Sequence, residues 1–195
     1  DEILKLALLQ KPNRVVITGD LIDKLAWLPQ VCERLTTFAK QIPDGVDFIL
    51  GNHEYHHDVN KVLDALKRNT PMNILVNSNI QIMGGKQPVY IAGVAYDNDR
   101  KKDNREVMIN KALSGIPDYA FVILLAHHPE FFEESIERKI PLTLSGHTHG
   151  GQIVFMGMPL VPTGTPYTKG RYVEEQSVCY VNNGTGHWFP IRINC

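Results

Sequence analysis

Four short apolar runs in this chain of 195 residues each end in residues that could ligate a metal. They are followed, in order, by Gly19-Asp20, Gly51-Asn52-His53, His127-His128 and Gly146-His147-Thr148-His149. In open α/β sheets, binding sites form outside the carboxyl ends of the strands, where the loops are free to vary. A polar loop explains any one of these coincidences, but core packing does not explain four. The pattern predicts a site at the edge of an α/β structure.

Hydrophobic periodicity predicts alternating helices and strands along most of the chain. The expected helices cover 1–11, 27–42, 59–68 and 105–113. The expected strands cover 14–18, 46–50, 121–126 and 142–145, with an antiparallel meander of closely spaced strands over 73–94. Asp58 is the expected N-cap of the third helix. Residues 97–105 read as an exposed loop, and 152–195 as short strands and turns.

Composition excludes several classes of protein. A hydrophobic fraction of 43% supports a sizeable core, and the length fits one α/β domain over 1–195. The net charge of −1 gives no electrostatic footprint of a general nucleic-acid or membrane-surface binder. Three widely spaced cysteines, Cys32, Cys179 and Cys195, exclude a disulfide scaffold and are compatible with a reducing compartment.

The residues at the four strand ends fit a hydrolytic centre with two metal ions. Asp20 is the candidate for a carboxylate that bridges both ions, and Asn52 offers a neutral carbonyl oxygen. Three imidazoles supply nitrogen ligands: His127, His147 and His149. Nitrogen and oxygen ligands without thiolate favour manganese, iron or zinc over calcium. His53 adjoins a ligand and is placed to donate a proton to a leaving group.

The ordered motifs Gly19-Asp20-x-x-Asp23, Gly51-Asn52-His53-Glu54, the His127 strand and Gly146-His147-x-His149 resemble those of calcineurin-like metallophosphoesterases. Their extended forms, 16–23 and 144–152, are similar to the bacterial YkuE/YaeI-like branch. The resemblance implies a four-layer sandwich of two mixed β-sheets flanked by helices. It implies Asp20 as the bridging ligand and His53 as the catalytic histidine. Family members often have another residue at the position of His128, so we expect this histidine beside the ligands and not among them. The resemblance also assigns the metal ligands: Asn52, His127 and His147 to one ion, and His149 to the other.

One motif of the family does not occur in this chain. The family opens with Asp-x-His on its first strand, which supplies two ligands of the His149 metal, and no histidine here follows that pattern. We expect that the segment preceding the chain is missing, because residues 1–11 are too apolar to stand uncovered. We also expect truncation after Cys195. The alternative is a family member that has lost the motif.

The leading functional hypothesis is metal-dependent hydrolysis of a phosphate monoester or diester by metal-activated water at a dinuclear centre. The substrate would be lipid-linked or nucleotide-linked, and the protein cytoplasmic or membrane-peripheral. The alternatives are another metallohydrolase, such as an amidohydrolase, and a non-catalytic or single-metal binding domain of the same fold.

Several further residues have uncertain roles. Asp23 orients a ligand or substrate, or caps a turn. We expect Tyr167, Lys169 and Arg171 to form a solvated cluster. We expect Trp27 and Trp188 to pack in the core or at its rim.

Overall fold

Two β-sheets face each other in the computed structural model, with helices on their outer sides. The structure describes residues 2–96, 101–160, 162–186 and 191–195. The helices are α1 (Glu2–Leu9), α2 (Leu28–Ala39), α3 (Asn52–Tyr55), α4 (Val59–Asn69), α5 (Lys102–Leu113) and α6 (Phe131–Glu137). The strands of the first half are β1 (Val15–Ile17), β2 (Val46–Ile49), β3 (Asn73–Leu75), β4 (Ser78–Met83) and β5 (Val89–Gly93). Those of the second half are β6 (Phe121–Leu125), β7 (Leu142–Ser145), β8 (Val154–Phe155), β9 (Met158–Pro159), β10 (Gly170–Glu174) and β11 (Ser177–Val181).

The smaller sheet contains three parallel strands in the order β1-β2-β3. Its outer face packs against α1, α2 and α4 through a cluster that includes the fully buried Phe48, Leu50 and Leu66. Helix α4 begins after Asp58, whose Oδ1 accepts a hydrogen bond from the amide of Lys61 at 3.3 Å, so the predicted N-cap is confirmed.

The larger sheet has six strands in the order β10-β11-β7-β6-β5-β4. The pairs β4–β5 and β10–β11 are antiparallel and the inner pairs are parallel, so this sheet is mixed. Helix α5 packs on its outer face around the buried Ile109 and Ala112, and Phe131 of α6 belongs to the same cluster.

A third apolar cluster joins the inner faces of the two sheets. Ile49 and Leu75 come from the smaller sheet, whereas Ile91 and Leu125 come from the larger one. This cluster establishes the expected sandwich of α/β layers, since each sheet also has helices on its other face. The smaller sheet is parallel throughout and not mixed, because helices connect its strands.

The structure corrects the prediction of an antiparallel meander over 73–94. Only β4 and β5 form an antiparallel pair there, whereas β3 pairs with β2 in parallel in the other sheet. Helix α4 precedes β3 and makes the crossover that parallel strands need. Short apolar strands carry no sequence signal of the sheet they join. Sequence reasoning also missed α6. Of the predicted loop over 97–105, residues 97–100 lie outside the described residues, and 102–105 instead belong to α5.

Two further findings concern sequence predictions about the chain as a whole. Among the described residues, no helix has the length and apolar character needed to cross a membrane. All three cysteines are free thiols, and burial raises the pKa of Cys179 to about 12.

Gly93 sets how closely the two sheets approach. A Cβ added at Gly93 would lie 2.5 Å from Leu75 Cβ and 2.7 Å from Ile49 Cγ2, both in the opposite sheet. Gly93→Ala should therefore lower the free energy of unfolding by about 1–3 kcal/mol, the usual effect of overpacking a core. The matched control is Gly84→Ala, where the nearest atom would be 3.5 Å away in an exposed turn. Equal urea midpoints for the two variants would contradict this account.

Candidate metal centre

The candidate ligands converge where parallel strands of both sheets end. Asp20 follows β1 and Asn52 follows β2, both in the smaller sheet. His127 follows β6 and His147 follows β7, both in the larger sheet. The carboxyl ends of all four strands therefore point to one place, as the sequence pattern predicted.

Four short contacts link four side-chain atoms at this place. Nε2 of His127 lies 3.2 Å from Oδ2 of Asp20 and 3.0 Å from Oδ1 of Asn52. Nδ1 of His147 lies 2.9 Å from the same Asn52 oxygen and 3.2 Å from His127 Nε2. Zinc–ligand distances are about 2.0–2.2 Å, so neighbouring donors around one ion are separated by about 3 Å. The spacing of the four atoms fits a shared metal ion.

The hydrogen bond of the other His127 nitrogen strengthens this interpretation. Its Nδ1 lies 2.6 Å from the carbonyl oxygen of Thr18 and can only donate there. In a neutral imidazole, Nε2 then presents a lone pair toward two oxygens that also carry lone pairs. Such an arrangement is repulsive unless a proton or a metal cation lies among the three atoms. The Thr18 contact also has the form of the outer hydrogen bond that orients metal-binding histidines.

The pKa of Asp20 is consistent with an anionic ligand. Burial alone would raise this pKa, but the hydrogen bond and positive charge from His127 outweigh burial. The amide of His53 adds a hydrogen bond to Oδ1 at 2.9 Å. Together these contacts hold the pKa of Asp20 well below its usual range, so the carboxylate is ionised at neutral pH.

His128 lies closer to the candidate ligands than the sequence indicated. Its ring stacks on that of His147 with a centroid distance of 3.9 Å and an interplanar angle of 23°. Nitrogen atoms of His127, His128 and His147 lie within 4.8 Å of one another, which is compatible with metal binding. His128 also packs against Tyr96 at 5.1 Å between ring centroids, so it supports the His147 ring from behind.

A buried carboxylate holds the two loops of the smaller sheet together. Glu54 is fully buried, and its oxygens accept from the amides of Asp20 at 3.0 Å, Leu21 at 2.6 Å and Ile22 at 2.8 Å. A fourth amide, from Gly51, donates at 2.7 Å. Burial raises the pKa of Glu54, and the amide donors oppose that effect by stabilising the ionised form.

The ligand loops approach closely and adopt uncommon backbone conformations. A Cβ at Gly51 would lie 2.5 Å from the amide nitrogen of Asp20 and 2.8 Å from His127 Cε1, so a glycine is required there. Asp20, His147 and His149 have φ values of 56°, 68° and 52°, in the left-handed region. Backbone strain of this kind concentrates at functional sites, where the surrounding structure holds it in place.

His53 contacts a carboxylate through one nitrogen while the other faces the candidate ligands. Nδ1 lies 3.0 Å from Oδ1 of Asp23, and Nε2 lies 4.0 Å from Oδ2 of Asp20. His57 contacts the backbone oxygen of Asp23 at 2.8 Å. Asp23 therefore orients His53, which differs from both roles that the sequence left open, the orientation of a ligand or substrate and the capping of a turn.

His149 shares a cavity with the other candidates but has a different partner. The cavity, of about 240 Å³, is lined by Asp20, Asn52, His53, His147 and His149 together with neighbouring loop residues. Nη2 of Arg192 donates to Nδ1 of His149 at 3.1 Å. Burial and the charge of Arg192 lower the pKa of His149, which favours a neutral ring.

Sequence reasoning missed three residues that shape the site. Glu54 was read as part of a motif without a role, although a carboxylate beside a buried strand is itself a signal. Asn182 donates to Thr18 Oγ1 at 3.0 Å and to the Ser145 carbonyl at 2.7 Å, thereby joining β1 to β7. It follows β11 as the candidate ligands follow their strands, so the same pattern could have revealed it. Arg192 had no recognisable signal.

The minor candidates have structural partners. Tyr167 is buried and packs edge-on against Phe132 and Tyr172 at 5.3 and 5.2 Å between ring centroids. Lys169 donates to the Asn194 carbonyl at 3.0 Å. Trp27 is half-exposed, and Trp188 lies outside the described residues.

Carboxylate, amide and imidazole donors gathered at the ends of parallel strands define the class of this protein as an α/β protein with a candidate metal centre. Residues 1–151 match the calcineurin-like phosphoesterase family, and the chain belongs to that family.

Several curated relatives are similar over nearly the whole chain. An uncharacterized metallophosphoesterase of Campylobacter jejuni is 36% identical, with 97% of this chain and 50% of the relative aligned. YkuE, an uncharacterized metallophosphoesterase of Bacillus subtilis, is 31% identical over 90% of this chain and 62% of its own length. A Danio rerio transmembrane protein with metallophosphoesterase domain is 31% identical over 93% of this chain and 43% of the relative. The chain spans about half the length of the first relatives it matches.

The buried Glu54 carboxylate gives a test of how the site is held. Glu54→Gln removes the charge and turns an amide NH₂ toward backbone donors, so at least one buried N–H loses its acceptor. We expect the free energy of unfolding to fall by about 2–4 kcal/mol, since hydrogen bonds to charged groups contribute about 1.5–3 kcal/mol each. Metal retention should fall with it, measured by elemental analysis. The control is Glu33→Gln on the exposed side of α2, which should change neither quantity.

Proposed function

We propose that this protein hydrolyses a phosphate ester with a metal-activated water. The observation that carries the proposal is the convergence of Asp20 Oδ2, Asn52 Oδ1, His127 Nε2 and His147 Nδ1 at 2.9–3.2 Å. Membership of the calcineurin-like phosphoesterase family supports the same chemistry and argues against an amidohydrolase.

The donor set fits a metal ion held by Asp20, Asn52, His127 and His147. Bound metals would lower the pKa of a water and neutralise charge on the phosphoryl oxygens. Asp20 also has a second carboxylate oxygen, and His149 lines the same cavity, so these two residues would contribute to a second ion. Imidazole and oxygen ligands without thiolate favour manganese, iron or zinc.

His53 is the proposed proton donor to the leaving group. The Asp23 carboxylate fixes its ring through Nδ1, which leaves Nε2 directed toward the cavity that Asp20 and Asn52 also line. A carboxylate partner stabilises the protonated imidazole as well as its orientation. His53 can thus hold a proton at the side of the cavity where an ester oxygen would depart.

The finer assignments rest on motifs and relatives. Similarity to YkuE supports placement in the YkuE/YaeI-like branch. We propose a phosphate monoester or diester as the class of substrate. We propose a lipid-linked or nucleotide-linked substrate, and a cytoplasmic or membrane-peripheral location. The relatives named as transmembrane proteins with a metallophosphoesterase domain support a membrane setting for at least some members.

A second candidate function is a single-metal or non-catalytic binding domain of the same fold. One observation favours it: Arg192 contacts the His149 nitrogen at 3.1 Å. The Asp23–His53 pair favours catalysis instead, because a binding domain needs no oriented proton donor.

Metal stoichiometry should separate the two ion sites. In the 195-residue chain, four residues surround the proposed first ion, whereas Asp20 and His149 alone are assigned to the second. Calorimetric titration of the metal-stripped chain with Mn²⁺ should therefore show about one tight site and a second that is weak or absent, because water ligands lack preorganised geometry. Asp20→Asn should abolish the tight site, whereas Asp64→Asn on the exposed face of α4 should not. Two tight, equivalent sites would contradict this assignment.

Removal of the proton donor should slow turnover and leave the metal bound. His53→Ala is expected to reduce the rate by about 10²–10⁴-fold, the usual contribution of general acid–base catalysis. The loss should be smallest for nitrophenyl esters, whose leaving groups need little protonation, and largest for alkyl phosphate esters. Stopped assays on both ester types, with metal content measured in parallel, provide the test.

Two further variants sharpen this experiment. Asp23→Asn should lower the rate less than His53→Ala does, because the ring remains while its charged partner is lost. His56→Ala should leave the rate near that of the wild type. The His56 ring is exposed, and its contact with His53 is a ring-centroid distance of 5.4 Å. An equal loss across leaving groups in His53→Ala would point to phosphate positioning and contradict proton donation.

A further inference from the structure

A short hairpin beside the cavity exposes a cluster of large apolar side chains. Strands β8 and β9 form it, and we name residues 154–160 the apolar hairpin. Four of its side chains are mostly exposed: Phe155 at 62%, Met156 at 83%, Met158 at 67% and Leu160 at 63%. Exposed apolar clusters of this kind mark interaction surfaces, whereas single exposed apolar residues need no explanation.

The base of the apolar hairpin is fixed to the rest of the fold. Val154 is buried, and its amide donates to the Ile193 carbonyl at 2.9 Å. The amide of Leu160 donates to the Ile153 carbonyl at 2.8 Å. The exposed side chains thus project from a well-anchored support, which holds them away from the core.

The apolar hairpin is continuous with the mouth of the cavity. Gly151 and Gln152, just before it, line the cavity that contains Asp20 and His53. Pro162 and Thr163, just after it, line the same cavity. Any surface that covers the hairpin therefore lies against the entrance to the candidate metal centre.

Two exposed basic residues, Lys169 and Arg171, lie at the end of β10 that is nearer the candidate metal centre. Glu174 and Glu175 lie at the other end of this strand, remote from the candidate metal centre. Lys169, in contrast, donates to the Asn194 carbonyl at 3.0 Å, and the Asn194 side chain donates to the Val154 carbonyl at 3.4 Å.

We propose that the apolar hairpin inserts into the interface of an anionic phospholipid bilayer and holds the cavity mouth against it. Apolar side chains beside lysine and arginine are the combination that binds such interfaces. A protein interface of ordinary size needs about 20–30 residues a side, which a narrow hairpin tip does not supply. A lipid bilayer can bury a protruding hairpin tip without a binding surface of complementary shape. Docking there favours a lipid-linked substrate, a consequence that rests on the proposed function.

Vesicle sedimentation tests the docking without any turnover. The chain as purified is mixed with vesicles of phosphatidylcholine alone or of phosphatidylcholine with phosphatidylglycerol. The tip variant is Phe155→Ser with Met156→Ser. Its control is Met83→Ser with Tyr119→Ser, which are 61% and 65% exposed and lie outside the hairpin. A charge variant, Lys169→Gln with Arg171→Gln, tests the cationic contribution, and hydrolysis of a soluble nitrophenyl diester is assayed in parallel.

Wild type and control should sediment with the phosphatidylglycerol vesicles. The affinity of the tip variant for these vesicles should fall by at least about tenfold. Each lost apolar side chain removes a large part of the apolar area that the bilayer would bury. The charge variant should lose binding to anionic vesicles, and soluble diester turnover should be unchanged in the tip variant.

Absence of wild-type binding, equal binding of the tip variant, or equal binding to neutral vesicles would overturn the proposal. So would a change of oligomeric state in the tip variant. Vesicle binding without diester turnover would support docking and contradict only the proposed hydrolysis.

Discussion

The buried carboxylate of Glu54 is the interaction on which the candidate site depends. It accepts four backbone amides, three from the loop after β1 and one from the loop after β2. One anion therefore fixes the loops that present Asp20 and Asn52, and does so where water cannot replace it. The left-handed backbone conformation of Asp20 is unfavourable for a residue with a Cβ. These hydrogen bonds maintain that conformation.

Electrostatics within the site favour a cation over an empty cluster of donors. Asp20 stays ionised although it is mostly buried, because His127 and the His53 amide stabilise its charge. Asn52 adds an oxygen without adding charge, so the remaining positive charge of an ion stays available to a phosphoryl group. The Thr18 carbonyl aligns His127, and the His128 ring supports His147, so both imidazoles are held before any ion binds.

The sequence predicted those parts of the candidate site that are determined by which residue types follow each strand. Asp20, Asn52, His127 and His147 each directly follow an apolar strand, so their convergence could be predicted from strand ends alone. The assignment of β3 to the smaller sheet could not, because a strand of three residues pairs equally well in either sheet. The contact between Arg192 and His149 spans 43 positions and depends on how the last segment returns to the site. Such contacts arise from tertiary packing, on which periodicity carries no information.

The four clustered donors come in pairs from the two sheets, which links metal binding to the packing between them. Asp20 and Asn52 belong to the smaller sheet, and His127 and His147 to the larger one. Separation of the sheets would disperse the donors, so an ion bound to all four stabilises only the packed state. Such linkage contributes about 2.7 kcal/mol when the free ion exceeds its dissociation constant a hundredfold. The apolar cluster of Ile49, Leu75 and Leu125 stabilises this interface, and a metal ion bound at the candidate centre would stabilise the same one.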